Sequence, residues 1–420
     1  MAQCTVLDNG VRILSAKMPG VRSVSLGIWV SAGSRNDPPV HAGMAHFTEH
    51  MLFKGTKKRS AVQIAKEIDA LGGALNAQTS KEYTVYYIRV LDEHLDKASD
   101  ILFDLFLNSV IDPVEMDREK KVVLQEIRMT EDTPDDYVSD LFSEAFFEKS
   151  SLGVPILGTA DAIDAFERRD VLDFLSSFYI PPSIVIAAVG SLDHNEIVNL
   201  VRRRFAGLHP ASPSFPEESF LKRAGVTRMV YRDIEQVHIT LGTAGASMLD
   251  TKRWVYIVLN TILGGSMSSM LFQEAREKLG LVYSIYSYLS SYRDCGVLAL
   301  YAATTPDNLQ KTMEVIMRQM SRIREGDFGG IHIDDVKAQI KGNLLLARES
   351  TTHRMSSIAK NEIYYNRDIP EEEIIEKIGK VSSDDVVSLA QEIFQGSKIT
   401  TVFLGKVDGI EAPDFGLPIN

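Results

Sequence analysis

The chain has 420 residues, of which 45% are apolar and 24% charged, and a formal net charge of −12. Its length exceeds the roughly 250 to 300 residues at which a single hydrophobic core stops growing, so at least two domains are expected, and the composition excludes wholesale disorder and collagen-like repeats. An acidic balance with no block of like charge argues against a nucleic-acid partner, and two cysteines, Cys4 and Cys295, are too few for a disulfide framework and are expected as free thiols.

The first residues, MAQCTVLDNGVRIL, show neither a basic stretch leading into an apolar one nor an Arg-rich, Ser-rich transit composition. No run approaches the roughly 18 apolar residues that would cross a bilayer. The expectation is a cytoplasmic protein of bacterial type, or a mature form already imported, with no membrane segment. VSLGIWVSAGS then reads as a strand ending in a small-residue turn.

In the next segment, GMAHFTEHMLFKGT, His46, Glu49 and His50 fall at i, i+3 and i+4, which puts all three side chains on one helical face. Two imidazoles one turn apart can grip one metal ion. Zinc held by imidazoles and a carboxylate keeps a position for water and lowers its pKa to about 7, and a Glu between the ligands can serve as general base. Two His alone bind weakly, so the site needs a third ligand.

Further along, SAVQIAKEIDALGG, DEHLDKASDILFDLFLNS and PVEMDREKKVVLQEIRMTED read as amphipathic helices, with Pro113 near the start of the last, where its missing donor costs least. That helix carries Glu119 and Glu126, seven residues and about two turns apart on one face. Beyond it, HPASPSFPEES brings Pro210, Pro213 and Pro216 close together, an extended linker at 209–221 between domains at 1–208 and 222–420.

The two domains read as copies of one unit. At a shift of 212, Ser31, Ala32, Gly33 and Ser34 fall on Thr243, Ala244, Gly245 and Ala246, and EYTVYYIRV falls on DCGVLALYA; at 215, IVIAAVGSLD falls on ITTVFLGKVD. Strands alternate with long helices, and the strand patterning is partly alternating. The fold expected is therefore α+β: two homologous domains, each a largely antiparallel sheet with helices layered on one face. At the same shift His46, Glu49 and His50 fall on Val258, Thr261 and Ile262, so only the first copy can bind a metal this way.

With Glu126 standing 76 residues after His50, the chain resembles the insulinase, pitrilysin and mitochondrial processing peptidase family of zinc metallopeptidases, whose inverted motif is HxxEH with a distal Glu ligand. The resemblance implies a zinc metalloendopeptidase, closest to the processing-peptidase-like bacterial members. It makes His46, His50 and Glu126 the ligands of one Zn²⁺ per chain, Glu49 the general base and Glu119 an outer carboxylate. It implies an edge strand in GGALNAQTSKEYTVYY that pairs with an extended peptide through Asn76 and Ala77, and an apolar wall at Phe53. It implies substrate-clamping residues in LFQEAREKLGLVYSIYS, Arg276 and Tyr283, which reach across to the zinc site and stabilise the oxyanion.

The family's processing peptidases also use acids at positions corresponding to Asp136 and Asp140 to hold an Arg of the substrate. A chain of this length in that family is half of a clamshell, which implies a homodimer or a heterodimer with an inactive paralogue. The alternative is a non-catalytic partner or scaffold subunit, which the intact HFTEH and Glu126 disfavour. Three positions depart from the family pattern: Thr48 where Leu is usual, Gln78 where an aromatic is frequent, and SSLGVPILG without the usual His and Arg.

Overall fold

Two mixed sheets organise the computed structural model, which describes residues 2–211 and 225–408. The first repeat runs through β1 (Gln3–Val6), β2 (Arg12–Lys17), β3 (Ser23–Val30), α1 (Met44–Leu52), α2 (Ala61–Ala70), β4 (Ala74–Thr79), β5 (Thr84–Leu91), α3 (Leu95–Asn108) and α4 (Pro113–Glu131). It continues through α5 (Pro134–Phe146), α6 (Ala160–Ala165), α7 (Arg168–Phe178), β6 (Ile184–Gly190) and α8 (His194–Phe205). The second runs through β7 (Thr227–Tyr231), β8 (Val237–Ala244), α9 (Arg253–Leu263), β9 (Val282–Ser291), β10 (Gly296–Thr304) and α10 (Leu309–Arg324). Then come α11 (Ile333–Ala347), α12 (Thr351–Tyr365), α13 (Glu371–Gly379), α14 (Ser383–Ile393) and β11 (Thr400–Gly405).

The first sheet has the order β1-β2-β6-β3-β5-β4 and the second β7-β11-β8-β10-β9. Aligned from the β4 and β9 ends, the two orders match strand for strand. In each, one pair is parallel, β2 with β6 and β7 with β11, and the rest are antiparallel. The α+β class and the two related domains are therefore as expected, and so are the three helices read in the first half, which form α2, α3 and α4.

Helices layer one face of the first sheet over a core that includes Ile28, Phe47, Leu102 and Phe205. Among the described residues the other face carries one helix, and it comes from the far end of the sequence. Met355, Ile358, Ala359 and Ile363 of α12 bury themselves against Trp29, Val185 and Ala187 of β3 and β6. Coverage on both faces explains why all seven residues of β6, IVIAAVG, are buried and apolar or glycine.

The second sheet is treated in the same way by α5, whose Val138, Leu141 and Phe142 pack on Val297, Ala299, Val402 and Leu404. Among the described residues, one compact unit takes in 2–129, 154–211 and 346–370, and the other 130–153, 225–345 and 371–408. The single boundary expected at 209–221, most of which lies outside the described residues, is thus joined by a reciprocal exchange of helices. An amphipathic helix settles on whichever apolar sheet face is uncovered, and each fully buried Val, Leu, Ile, Phe or Met contributes about 1.5–3 kcal/mol there. Sequence distance does not enter that balance.

Candidate metal centre

The site begins with the way α1 is held. Met44, Ala45, Phe47, Thr48, Met51 and Leu52 face the core, which leaves His46, Glu49 and His50 on the opposite stripe. Asp37 fixes the start of the helix: its carboxylate accepts the N–H of Gly43 at 2.8 Å and of Ala45 at 2.9 Å. These are amides that the first turn cannot satisfy internally. Burial raises the Asp37 carboxyl from its ordinary 3.8 to about 7, against the pull of those amides and of Lys81.

Gly43 takes φ +94°, and a Cβ there would stand 2.6 Å from Leu157 O; a Cβ on Gly158 would stand 2.1 Å from Ala42 O. Only two glycines allow this approach, which sets where α1 begins.

The structure brings together the three candidate ligands named from the sequence. His46 Nε2 and His50 Nε2 are 3.2 Å apart, and Glu126 Oε2 lies 3.8 Å from the first and 3.7 Å from the second. Ligand atoms at about 2.0–2.1 Å from a tetrahedral zinc stand about 3.3 Å from one another, so the triangle fits the ion with a closing movement of about 0.5 Å at Glu126. Among the described residues these three form the one group of His, Cys, Asp and Glu with metal-binding geometry.

The surrounding charges suit a dication as well. His50 Nδ1 meets Glu119 Oε1 at 2.7 Å, and Lys54 Nζ meets Glu119 Oε2 at 2.5 Å. A carboxylate on Nδ1 takes that nitrogen's proton in hydrogen bonding and leaves Nε2 with its lone pair facing the site. Burial works against the charge on Glu119, but its hydrogen bonds to His50 and Lys54 outweigh that and hold its pKa below the ordinary value. For His50, burial is likewise outweighed by Glu119 and the neighbouring carboxylates, and its pKa rises. Burial, reinforced by His50, drives His46 down to about 3, so it is a neutral imidazole throughout the physiological range. Three carboxylates, Glu49, Glu119 and Glu126, gather around the two imidazoles, an acidic surround that suits a cation.

Glu49 lies beside the triangle, its Oε2 accepting from Thr79 Oγ1 at 2.5 Å, and burial raises its pKa. Thr79 ends β4, the outermost strand on this side of the sheet. Two residues earlier, the Ala77 N–H donates to Asn76 Oδ1 at 2.8 Å rather than to a strand. Phe53 caps α1 and packs partly buried on the core, 6.3 Å from the Tyr86 ring centroid.

The remaining candidates belong to the second unit. Arg276 lies in a π-helical turn, Phe272–Lys278, with its guanidinium 4.8 Å from the Phe272 ring centroid and 5.3 Å from that of Tyr283, which is 79% exposed. Asp136 and Asp140 lie on α5, packed on the second sheet and outside the unit of the candidate metal ligands; burial raises Tyr286 and Tyr301, and the charges of Asp135 and Asp136 add to it. In α9, Val258 and Ile262, at the positions of the two His, are fully buried in the second core.

Sequence patterns alone do not single out Asp37, Lys54 or Thr79. Lys54 carries a signal, a basic residue one turn after His50, but nothing in the pattern pairs it with Glu119. The other two depend on tertiary register.

Comparison with known proteins bears on this geometry. Over 397 residues the chain is 39% identical to an uncharacterized zinc protease of Streptomyces coelicolor, covering 93% of this chain and 86% of that one. Over 395 residues it is 40% identical to one of Bacillus subtilis, covering 92% and 94%. A model described as "Insulinase (Peptidase family M16)" matches residues 12–160, and one described as "Peptidase M16 inactive domain" matches 165–340.

The chain belongs to the insulinase family, M16. Solved structures carry the same fold: a protease from Helicobacter pylori superimposes with a TM-score of 0.90 at 23% identity over 96% of this chain and 99% of that one. A peptidase M16 inactive domain from Pseudomonas fluorescens gives 0.86 at 19% over 96% and 98%. The candidate metal-binding residues of this M16 chain, His46, His50 and Glu126, fall within the span of the first family match. Among the described residues no helix is long and apolar enough to cross a membrane.

Proposed function

We propose that the chain is a zinc metalloendopeptidase of extended or presequence-like peptides, with one zinc per chain held by His46, His50 and Glu126. The observation that carries this reading is the triangle of Nε2, Nε2 and Oε2 atoms with the Glu49 carboxylate beside it. When bound, the ion supplies an electrophile that activates water near neutral pH.

The chain's own groups do the rest. Glu119 and Lys54 keep His50 in the tautomer that offers Nε2. Glu49 takes a proton from water at Oε1, the oxygen not engaged by Thr79, and returns it to the leaving amine. A peptide adding to β4 offers a backbone carbonyl that replaces Asn76 Oδ1 on the Ala77 N–H, with Phe53 as an apolar wall. Arg276 and Tyr283 are the donors assigned to the developing oxyanion, and Asp136 and Asp140 the acids assigned to a basic substrate residue. The unit holding residues 2–129 is the catalytic one, and the working form is a dimer, of two such chains or with an inactive paralogue.

The test is metal analysis of the purified chain and cleavage of a quenched-peptide library by wild type and Glu49→Gln. The expected result is one zinc in both and cleavage, abolished by chelator, in wild type alone. A zinc-loaded wild type that cuts nothing alone or with a second subunit refutes the reading and leaves the scaffold alternative.

A further inference from the structure

One edge of β4 pairs with β5 from Ala74 opposite Arg89 to Thr79 opposite Thr84, and among the described residues no strand pairs with the other edge. Exposure alternates along it. Leu75 and Ala77 pack partly buried on the core shared with α1, and Thr79 closes the row at 8% exposed. There its hydroxyl donates to Glu49 Oε2 at 2.5 Å. A glutamate side chain has several rotamers of similar energy, and a donor built into a strand selects one of them.

We propose that Thr79 is a positioning residue for peptide hydrolysis, holding the Glu49 carboxylate in fixed register with the strand edge on which the peptide lies. The inference rests on the peptidase reading above. Its physical content is a shared ruler. The backbone anchor at Ala77 and the tie at Thr79 are one two-residue repeat apart, roughly 6.8 Å along the strand, so seating the peptide and aiming the proton acceptor are set by the same backbone. Near-attack geometry is sensitive to errors of about 1 Å, so a carboxylate released from this tie slows turnover without loosening the peptide.

The test compares full-length, zinc-loaded Thr79→Val, which keeps the shape and removes the hydroxyl, with Thr79→Ser, which keeps the hydroxyl. In Thr79→Val kcat falls by about tenfold or more while KM and zinc affinity, read by chelator competition, stay within about twofold, and Thr79→Ser recovers most of kcat. An unchanged kcat, or a loss shared by KM and not recovered by Thr79→Ser, overturns the proposal.

A second measurement does not depend on turnover. A double-mutant cycle of unfolding free energies on the metal-free chain, with Thr79→Val and Glu49→Ala, is non-additive if the tie exists. Additivity overturns the proposal whatever the activity. Coupling in a wild type that cuts no peptide overturns the peptidase reading and leaves the tie standing.

Discussion

Replacing Glu119 by Gln tests whether the metal site extends beyond its ligands. Glu119 is 4% exposed and stands outside the triangle of ligand atoms; it acts through His50 Nδ1 at 2.7 Å and is itself held by Lys54 at 2.5 Å. The amide that Glu119→Gln introduces is the same size as the carboxyl, and its oxygen can still accept from Nδ1, so the tautomer survives. What is lost is the charge, which strengthens the hydrogen bond and makes Nε2 a better donor to the metal, and the new amide N–H₂ would face the Lys54 ammonium.

A hydrogen bond to a charged group exceeds a neutral one by about 1–1.5 kcal/mol, and outer-shell changes of this kind cost roughly 10- to 100-fold in metal affinity. Glu126→Gln, which removes a proposed ligand, should cost more. The assay is competition for zinc against a chromophoric chelator at pH 7, with unfolding curves of the metal-free proteins as a control on folding. The expected order of affinity is wild type, then Glu119→Gln, then Glu126→Gln. Wild-type affinity in Glu119→Gln would refute the role given to the His50–Glu119–Lys54 chain, and equal losses in both variants would refute the distinction between ligand and outer carboxylate.

Two stability predictions follow from the same helix. Asp37 has an ordinary value of 3.8 when unfolded and about 7 when folded, so the folded state holds its proton more tightly and stability falls as pH rises through that window, by up to about 4 kcal/mol. Denaturation of the metal-free chain from pH 4 to 8 should show a slope attributable to Asp37 that is missing in Asp37→Asn; identical slopes would exclude it. Thr48 is fully buried and its hydroxyl has no partner among the described residues, so Thr48→Val should stabilise the metal-free chain by about 1 kcal/mol with zinc affinity unchanged. A loss of stability would show that the hydroxyl is satisfied.

Much of the site was legible because its determinants are local. The spacing of His46, Glu49 and His50 is meaningful on any helix, and the apolar residues between them, Phe47 and Met51, show which face is buried. The periodicity of PVEMDREKKVVLQEIRMTED and Pro113 at its start mark α4 from Pro113 to Glu131. Glu119 and Glu126, two turns apart, then differ in a way periodicity cannot show: one is buried against His50 and Lys54, the other reaches the metal triangle at 36% side-chain exposure. The paired strand patterns of the two repeats likewise foretold two related sheets, whose strand orders match.

The sequence by itself determined the family, the helix that carries the candidate His–Glu–His motif, the glutamate expected to join it and the duplication, since each rests on spacing within one helix or on similarity between two stretches. Only the tertiary structure decided which groups hold that motif in place. Asp37 meets the start of α1 across a loop that includes two prolines, Thr79 meets Glu49 through the register of an edge strand, and α12 covers a sheet whose strands lie more than 150 residues away. Such contacts are chosen by the burial of apolar faces and the satisfaction of buried polar groups once the chain has folded back on itself, and those terms depend on distance in space rather than along the chain.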